Sequence, residues 1–311
     1  MRATVIGRLR RFGLLSGCAL VALLLIDGLV GAYLYRTGTD ASVTVTPARD
    51  GQTRRAIVVL PGFVMKGSLV ATAFAPYVGP GDALVAVDYA ERGLDPEQIY
   101  RKVLDALKQL HPATVVVYGA SLGGLVGMEL LRRYQHDGAV FGKVVLVLDT
   151  APAGAADVKR PRWLFKVAGW YRGGPLATAV WAGAVSLMDE VPIGAGGNQK
   201  LIEAAHRAGA WAGTAAMATQ GAFIDNHPVR AIDAGWAAVV SQAFYLRGET
   251  DAAADPLVDV HSAAGQWSTA LPGLADVPVA GRDGHWHIPL VERPAESAGA
   301  LMAVLARTEG R

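Results

Sequence analysis

Cysteine is almost missing from this chain: Cys18 is the only one in 311 residues. The body therefore holds no disulfide, no thiol nucleophile and no cysteine-based metal site. An excess of either charge is missing too. Lys and Arg number 29 against 27 Asp and Glu, and the basic surplus sits at the front, where Arg2, Arg8, Arg10, Arg11 and Arg36 face only Asp27. Residues 37–311 keep 24 basic against 26 acidic groups, which leaves no basic face for nucleic acid. His285 and His287 stand one residue apart, but no acid or thiol cluster completes a metal site around them. Neither a metal nor an organic cofactor is expected. Finally, strand-like runs are missing between residues 152 and 240, although they recur on both sides of that stretch.

What is present begins with a leader. After the arginines comes an apolar run from Phe12 to Tyr35, broken only by Asp27. About 20 apolar residues span a bilayer core, so the run has the length of a transmembrane helix, with the arginines on the cytoplasmic side. Small residues at Val30-Gly31-Ala32 would also suit cleavage of a secretory signal. Residues 1–36 are expected to anchor the chain with its body on the extracytoplasmic side of a membrane, or else to direct its secretion. Leu15-Ser16-Gly17-Cys18 resembles a lipoprotein box, but the apolar region follows the cysteine where such a signal needs it to precede.

The stretch Val115 to Gly124, VVVYGASLGG, organises the body. A β-branched run leads into G-x-S-x-G, and the helix-compatible run Leu125 to Tyr134 follows, so the pattern is strand, sharp turn, helix. Gly119 and Gly123 allow the flanking backbones to approach closely, and Ser121 stands at the tip. The helix N-terminus points at the same spot, which makes the backbone N–H of Leu122 a donor for an oxyanion.

In this order of elements the chain resembles the α/β-hydrolase family, from about Val43 to the C-terminus. The resemblance implies a mostly parallel central sheet with helices on both faces. It implies a core in two parts, residues 37–151 and 241–311, around a helical cap at 152–240. The other runs agree with that fold class: strands at Ser42 to Thr46, Arg55 to Leu60, Ala83 to Val87, Lys143 to Leu148, Gln242 to Leu246 and Asp276 to Ala280. Between them a helix is expected over Gly67 to Val78, and another is opened by Asp95-Pro96-Glu97. Within the cap stretch, Ala-rich helical segments lie around Trp163 to Tyr171, Leu176 to Met188 and Gln199 to Ala218. It carries Trp163, Trp170, Trp181, Trp211 and Trp236, which would fill the core of a cap, line an acyl pocket or rest on a membrane surface.

The resemblance also implies site residues. The loop after the second strand supplies a second oxyanion donor, which falls on the N–H of Phe63, with Pro61 where the family has a histidine. The acid of a catalytic triad falls just past a strand and a glycine turn at Asp251, with Asp255 as fallback and Asp149 as third choice. Its base falls on His287, five residues before Glu292 and seven before Pro294, while His285 fits the family's Gly-His pair. These parts imply acyl transfer: Ser121 attacks a carbonyl, the histidine takes its proton, and the aspartate holds the imidazole. The expected substrate is a small-molecule or lipid carboxylic ester. A thioesterase or acyltransferase would use the same groups, and a membrane-tethered scaffold without turnover is the competing reading. A serine at the turn argues against dehalogenases and epoxide hydrolases, which place an aspartate there.

Overall fold

The computed structural model describes residues 16–31; 40–159 except 64, 91–92 and 139–141; 176; 214–229; 239–248; and 255–309 except 256, 281, 283–286, 289 and 291–292. Among these, the aliphatic runs form seven strands: β1 (Ser42–Thr46), β2 (Arg55–Leu60), β3 (Asp82–Asp88), β4 (Thr114–Ala120), β5 (Lys143–Asp149), β6 (Gln242–Gly248) and β7 (Ala275–Val279). They make one sheet in the order β1-β3-β2-β4-β5-β6-β7. β1 runs antiparallel to β3, and every other pairing is parallel.

A parallel sheet needs cover on both faces, which is why its strands read as unbroken apolar runs. In β2 the side chains of Ala56, Val58 and Leu60 enter one core and those of Ile57 and Val59 the other. Helices α1 (Gly67–Phe74) and α6 (Pro294–Glu309) supply Val70, Phe74, Leu301 and Leu305 to the second core. Helices α2 (Pro96–Leu110), α3 (Leu122–Asp137) and α5 (Val260–Ala270) supply Val103, Leu125 and Trp267 to the first, joined by Phe223 of α4 (Thr214–Asn226). Each such side chain taken out of water contributes about 1.5–3 kcal/mol.

Local signals fixed several ends. The Asp95 carboxylate accepts from the backbone N–H of Glu97 at 2.9 Å, with Pro96 opening α2. His111 closes that helix in the left-handed conformation, its N–H on the carbonyl of Leu107 at 3.0 Å. α1 stops at Phe74, short of the Val78 expected, because turns through Tyr77 and Val78 lead directly into β3.

The expected membrane anchor requires correction. The described part of the leader, residues 16–31, is helical. No helix among the described residues is long and apolar enough to cross a membrane. Asp27 is hydrogen-bonded besides, its carboxylate accepting from the N–H of Leu176 at 2.6 Å. In the cap stretch, the five tryptophans and the first two expected helical segments lie outside the described residues, apart from Leu176. The third is described from Thr214 onward as α4, which continues to Asn226. One helix had no expectation at all: α5, whose Gly265 and mixed pattern hide it.

Candidate active site

The G-x-S-x-G stretch forms the turn its sequence implies. β4 ends at Ala120, α3 begins at Leu122, and Ser121 between them has φ 51° and ψ −120°. A non-glycine residue there is strained, and such strain persists only where the surroundings impose it. The surroundings do so through short contacts. A Cβ on Gly123 would run into the carbonyl of Leu60, and one on Gly119 would stand 2.7 Å from the Gly123 carbonyl oxygen and Gly124 Cα. The Ser121 N–H donates to the carbonyl of Asp149 at 2.9 Å, and its carbonyl accepts from Gly124 at 2.9 Å. Ser121 is buried, with 9% of its surface exposed.

The loop after β2 lies against this turn. A Cβ on Gly62 would be 3.5 Å from the Ser121 Cβ, which brings the Gly62-Phe63 peptide beside the serine. Tyr89, just past β3, donates its hydroxyl to the Pro61 carbonyl at 3.0 Å. Burial pushes the Tyr89 phenol well above its ordinary pKa, so it remains a neutral donor. Phe63 itself is half-buried against the first core.

His287 faces a carboxylate. Its Nδ1 lies 2.9 Å from Oδ2 and 3.1 Å from Oδ1 of Asp255. A carboxylate accepts, so in the neutral ring the proton belongs on Nδ1 and the lone pair on Nε2. That Nε2 is buried and has no hydrogen-bond partner among the described residues. Asp255 is buried, and its Oδ1 also accepts from the N–H groups of Leu257 at 2.9 Å and Val258 at 2.8 Å. The partner of His287 is thus the fallback carboxylate, while Asp251, the first choice, and His285 both lie outside the described residues.

The segment carrying Asp255 is held by Val158 and Lys159, past the end of β5. Val158 bridges Val258, Lys159 N donates to Leu257 O at 2.8 Å, and Lys159 Nζ reaches the Asp255 carbonyl at 2.8 Å. Beneath them the buried Asp157 accepts from Ala153 N at 2.9 Å, and from Ser262 Oγ and Gln266 Nε2 of α5, both at 2.7 Å.

Asp149, the third choice of acid, has other partners. Arg282 donates from Nη1 to Oδ1 at 2.5 Å and from Nη2 to Oδ2 at 2.8 Å. Tyr118 donates to Oδ2 at 2.7 Å. Burial works against the Arg282 charge, but the carboxylate and its hydrogen bonds outweigh it and hold the guanidinium above its ordinary pKa. Tyr118 is pushed well above its own, first by burial and then by Asp149. No pattern in the sequence singled out Arg282, Tyr89 or Asp157, because each acquires its partner from a distant segment. Among the described residues no three His, Cys, Asp or Glu side chains gather into a group that could hold a metal.

This architecture is the α/β-hydrolase fold: a mostly parallel sheet flanked by helices, with a strained serine between β4 and α3. Solved structures share it over most of their length. An esterase from Exiguobacterium antarcticum is similar with a TM-score of 0.58 and 15% identity, covering 87% of this chain and 97% of its own. The enol-lactonase from Burkholderia xenovorans has a TM-score of 0.57 and 17% identity, covering 86% and 97%. An alpha/beta hydrolase enzyme from a Medee basin deep-sea metagenome library has 0.58 and 12%, covering 86% and 94%. No family model matches the chain, and no curated protein matches it by sequence.

Proposed function

We propose that the chain is a serine hydrolase of small carboxylic esters, with Ser121 as nucleophile, His287 as base and Asp255 as acid. The observation that carries this reading is the state of His287: Nδ1 is committed to a buried carboxylate and Nε2 has no hydrogen-bond partner among the described residues. That is the arrangement a general base needs. The strained Ser121 and the fold shared with esterases support it.

In the proposed reaction, Nε2 of His287 takes the Ser121 hydroxyl proton as Oγ attacks the ester carbonyl carbon. The N–H groups of Leu122 and Phe63 bind the oxyanion, each donor contributing about 3 kcal/mol. The tetrahedral intermediate collapses, the C–O bond to the leaving group breaks, and His287 gives its proton to the departing alcohol. Water, deprotonated by the same nitrogen, then attacks the acyl-enzyme; the bond from the acyl carbon to Ser121 Oγ breaks, His287 returns the proton to that oxygen, and the acid leaves. Asp255 holds the Nδ1 tautomer and offsets the charge of the imidazolium throughout. Residues 152–240 complete the proposal as the cap over the pocket. The preference for lipid esters rested on the membrane leader and on the tryptophans of residues 152–240, and it loses the first of these supports.

Hydrolysis of p-nitrophenyl acetate and a longer acyl ester by the full chain tests this, beside Ser121→Ala, His287→Ala and His285→Ala. Loss of turnover in Ser121→Ala and His287→Ala, with His285→Ala active, is expected. No turnover and no labelling of Ser121 by a serine-directed phosphonate would instead favour a fold retained for binding.

A further inference from the structure

Two loops must meet for the proposed chemistry, the turn at Ser121 and the loop that carries His287. The geometry points to Asp149 and Arg282 as the pair that sets one against the other, making Arg282 a positioning residue for the acyl-transfer step. This rests on the serine-hydrolase reading above.

Asp149 is joined to both sides. Its backbone carbonyl accepts from the Ser121 N–H at 2.9 Å, and its carboxylate accepts from Tyr118, three residues before that serine, at 2.7 Å. On the other side it takes both Nη groups of Arg282, five residues before His287. The Arg282 backbone rests on the end of β6, where a Cβ on Gly248 would be 3.4 Å from its carbonyl oxygen. One carboxylate at the end of β5 therefore ties the elbow strand to Arg282, five residues before His287.

The character of the contact fits alignment better than adhesion. Side-chain exposure is 4% for Arg282 and 0% for Asp149. An ion pair that deep gains little net stability, because desolvating both charges offsets their attraction. What a two-pronged guanidinium–carboxylate contact does supply is direction, since both N–H···O bonds are lost when either plane rotates. Strain gathers at the same spot. Thr150, next in the chain, is a β-branched residue with φ 46°, and its buried Oγ1 has no partner among the described residues.

The test uses the full chain with p-nitrophenyl acetate, active sites being counted by phosphonate titration so that misfolded protein is not scored. Arg282→Met is expected to lower kcat per titrated site about 100-fold, the cost of displacing a reacting group by roughly an ångström. KM should stay within about threefold, and Arg282→Lys should recover about tenfold of the lost rate by keeping the charge without the fork. In a His287→Ala background, Arg282→Met should change the residual rate less than about twofold, because the group it positions is gone.

A per-site kcat within about fivefold of wild type would overturn the inference and leave the pair a structural fastener, whatever happens to Tm. An equal loss in the His287→Ala background would overturn it as well. Should Arg282→Met not fold, Arg282→Lys decides by the same fivefold line. Wild-type protein that neither turns over nor labels at Ser121 sinks the hydrolase reading and this inference together. Active wild type with an unaffected Arg282 variant sinks the inference alone.

Discussion

The hydroxyl of Tyr89 hydrogen-bonds the Pro61 carbonyl at 3.0 Å, and the peptide that follows Pro61 lies against Ser121. A buried phenol at the end of β3 thereby holds the loop proposed to offer the Phe63 N–H. Tyr89→Phe removes one hydrogen bond and leaves the Pro61 carbonyl to find another partner. Stability should fall by about 1–2 kcal/mol in urea titration. The rate constant kcat should fall about tenfold, a loosened donor being worth less than a deleted one.

Ser121, the proposed nucleophile, sits at φ 51°. Glycine accepts that conformation without strain, whereas alanine keeps the Cβ that causes it. Ser121→Gly should therefore raise the unfolding free energy by about 1 kcal/mol and abolish labelling, and Ser121→Ala should abolish labelling without that gain. Equal urea midpoints for the two variants would remove the strain argument.

Asp255→Asn keeps a carbonyl oxygen for the Leu257 and Val258 N–H groups, so the segment should stay folded. It removes the charge beside His287 and presents an amide that favours the wrong tautomer. A fall in kcat of about 10³–10⁴-fold is expected. Asp251→Asn, assayed alongside, should cost far less; a larger loss there would return the acid to Asp251.

Tyr89, Tyr118 and Tyr245 all have phenols raised well above the ordinary value of 10.0, each chiefly by burial. Below pH 10 both the folded and unfolded forms hold these protons, and the contribution to stability is fully present. Above it the unfolded chain loses them first, so it binds fewer protons than the folded one and stability declines as pH rises. Each phenol adds a slope of about 1.4 kcal/mol per pH unit, or about 4 for the three. Urea midpoints should be flat with respect to these groups up to pH 9.5 or so and then drop, less steeply in Tyr245→Phe.

The contrast between Asp149 and Asp255 shows how far the sequence reached. Both were visible as carboxylates beside strand ends, and nothing local distinguished them. Their partners are distant: Arg282 lies 133 positions from Asp149, and His287 lies 32 from Asp255. α5 was hidden for a related reason. Its pattern VHSAAGQWSTA is weak by itself, and the helix is held by Trp267, fully buried with its Nε1–H on the Ala151 carbonyl at 2.9 Å. The leader failed in the opposite direction, since apolar composition marked a membrane span where no helix among the described residues is long and apolar enough to be one.

By itself the sequence determined the strands, the elbow and the capped start of α2, because each depends on side-chain pattern, steric freedom or capping within a few residues. RAIVVL, VVVYGA and KVVLVL read as short buried strands, and G-x-S-x-G between a strand and a helix reads as a tight turn with a serine at its tip. Tertiary structure alone decided which carboxylate meets His287, which one binds Arg282, and that Tyr89 holds the Pro61 loop. Those pairings depend on how loops from separate strand ends are folded over one another, and no short stretch of chain encodes that distance.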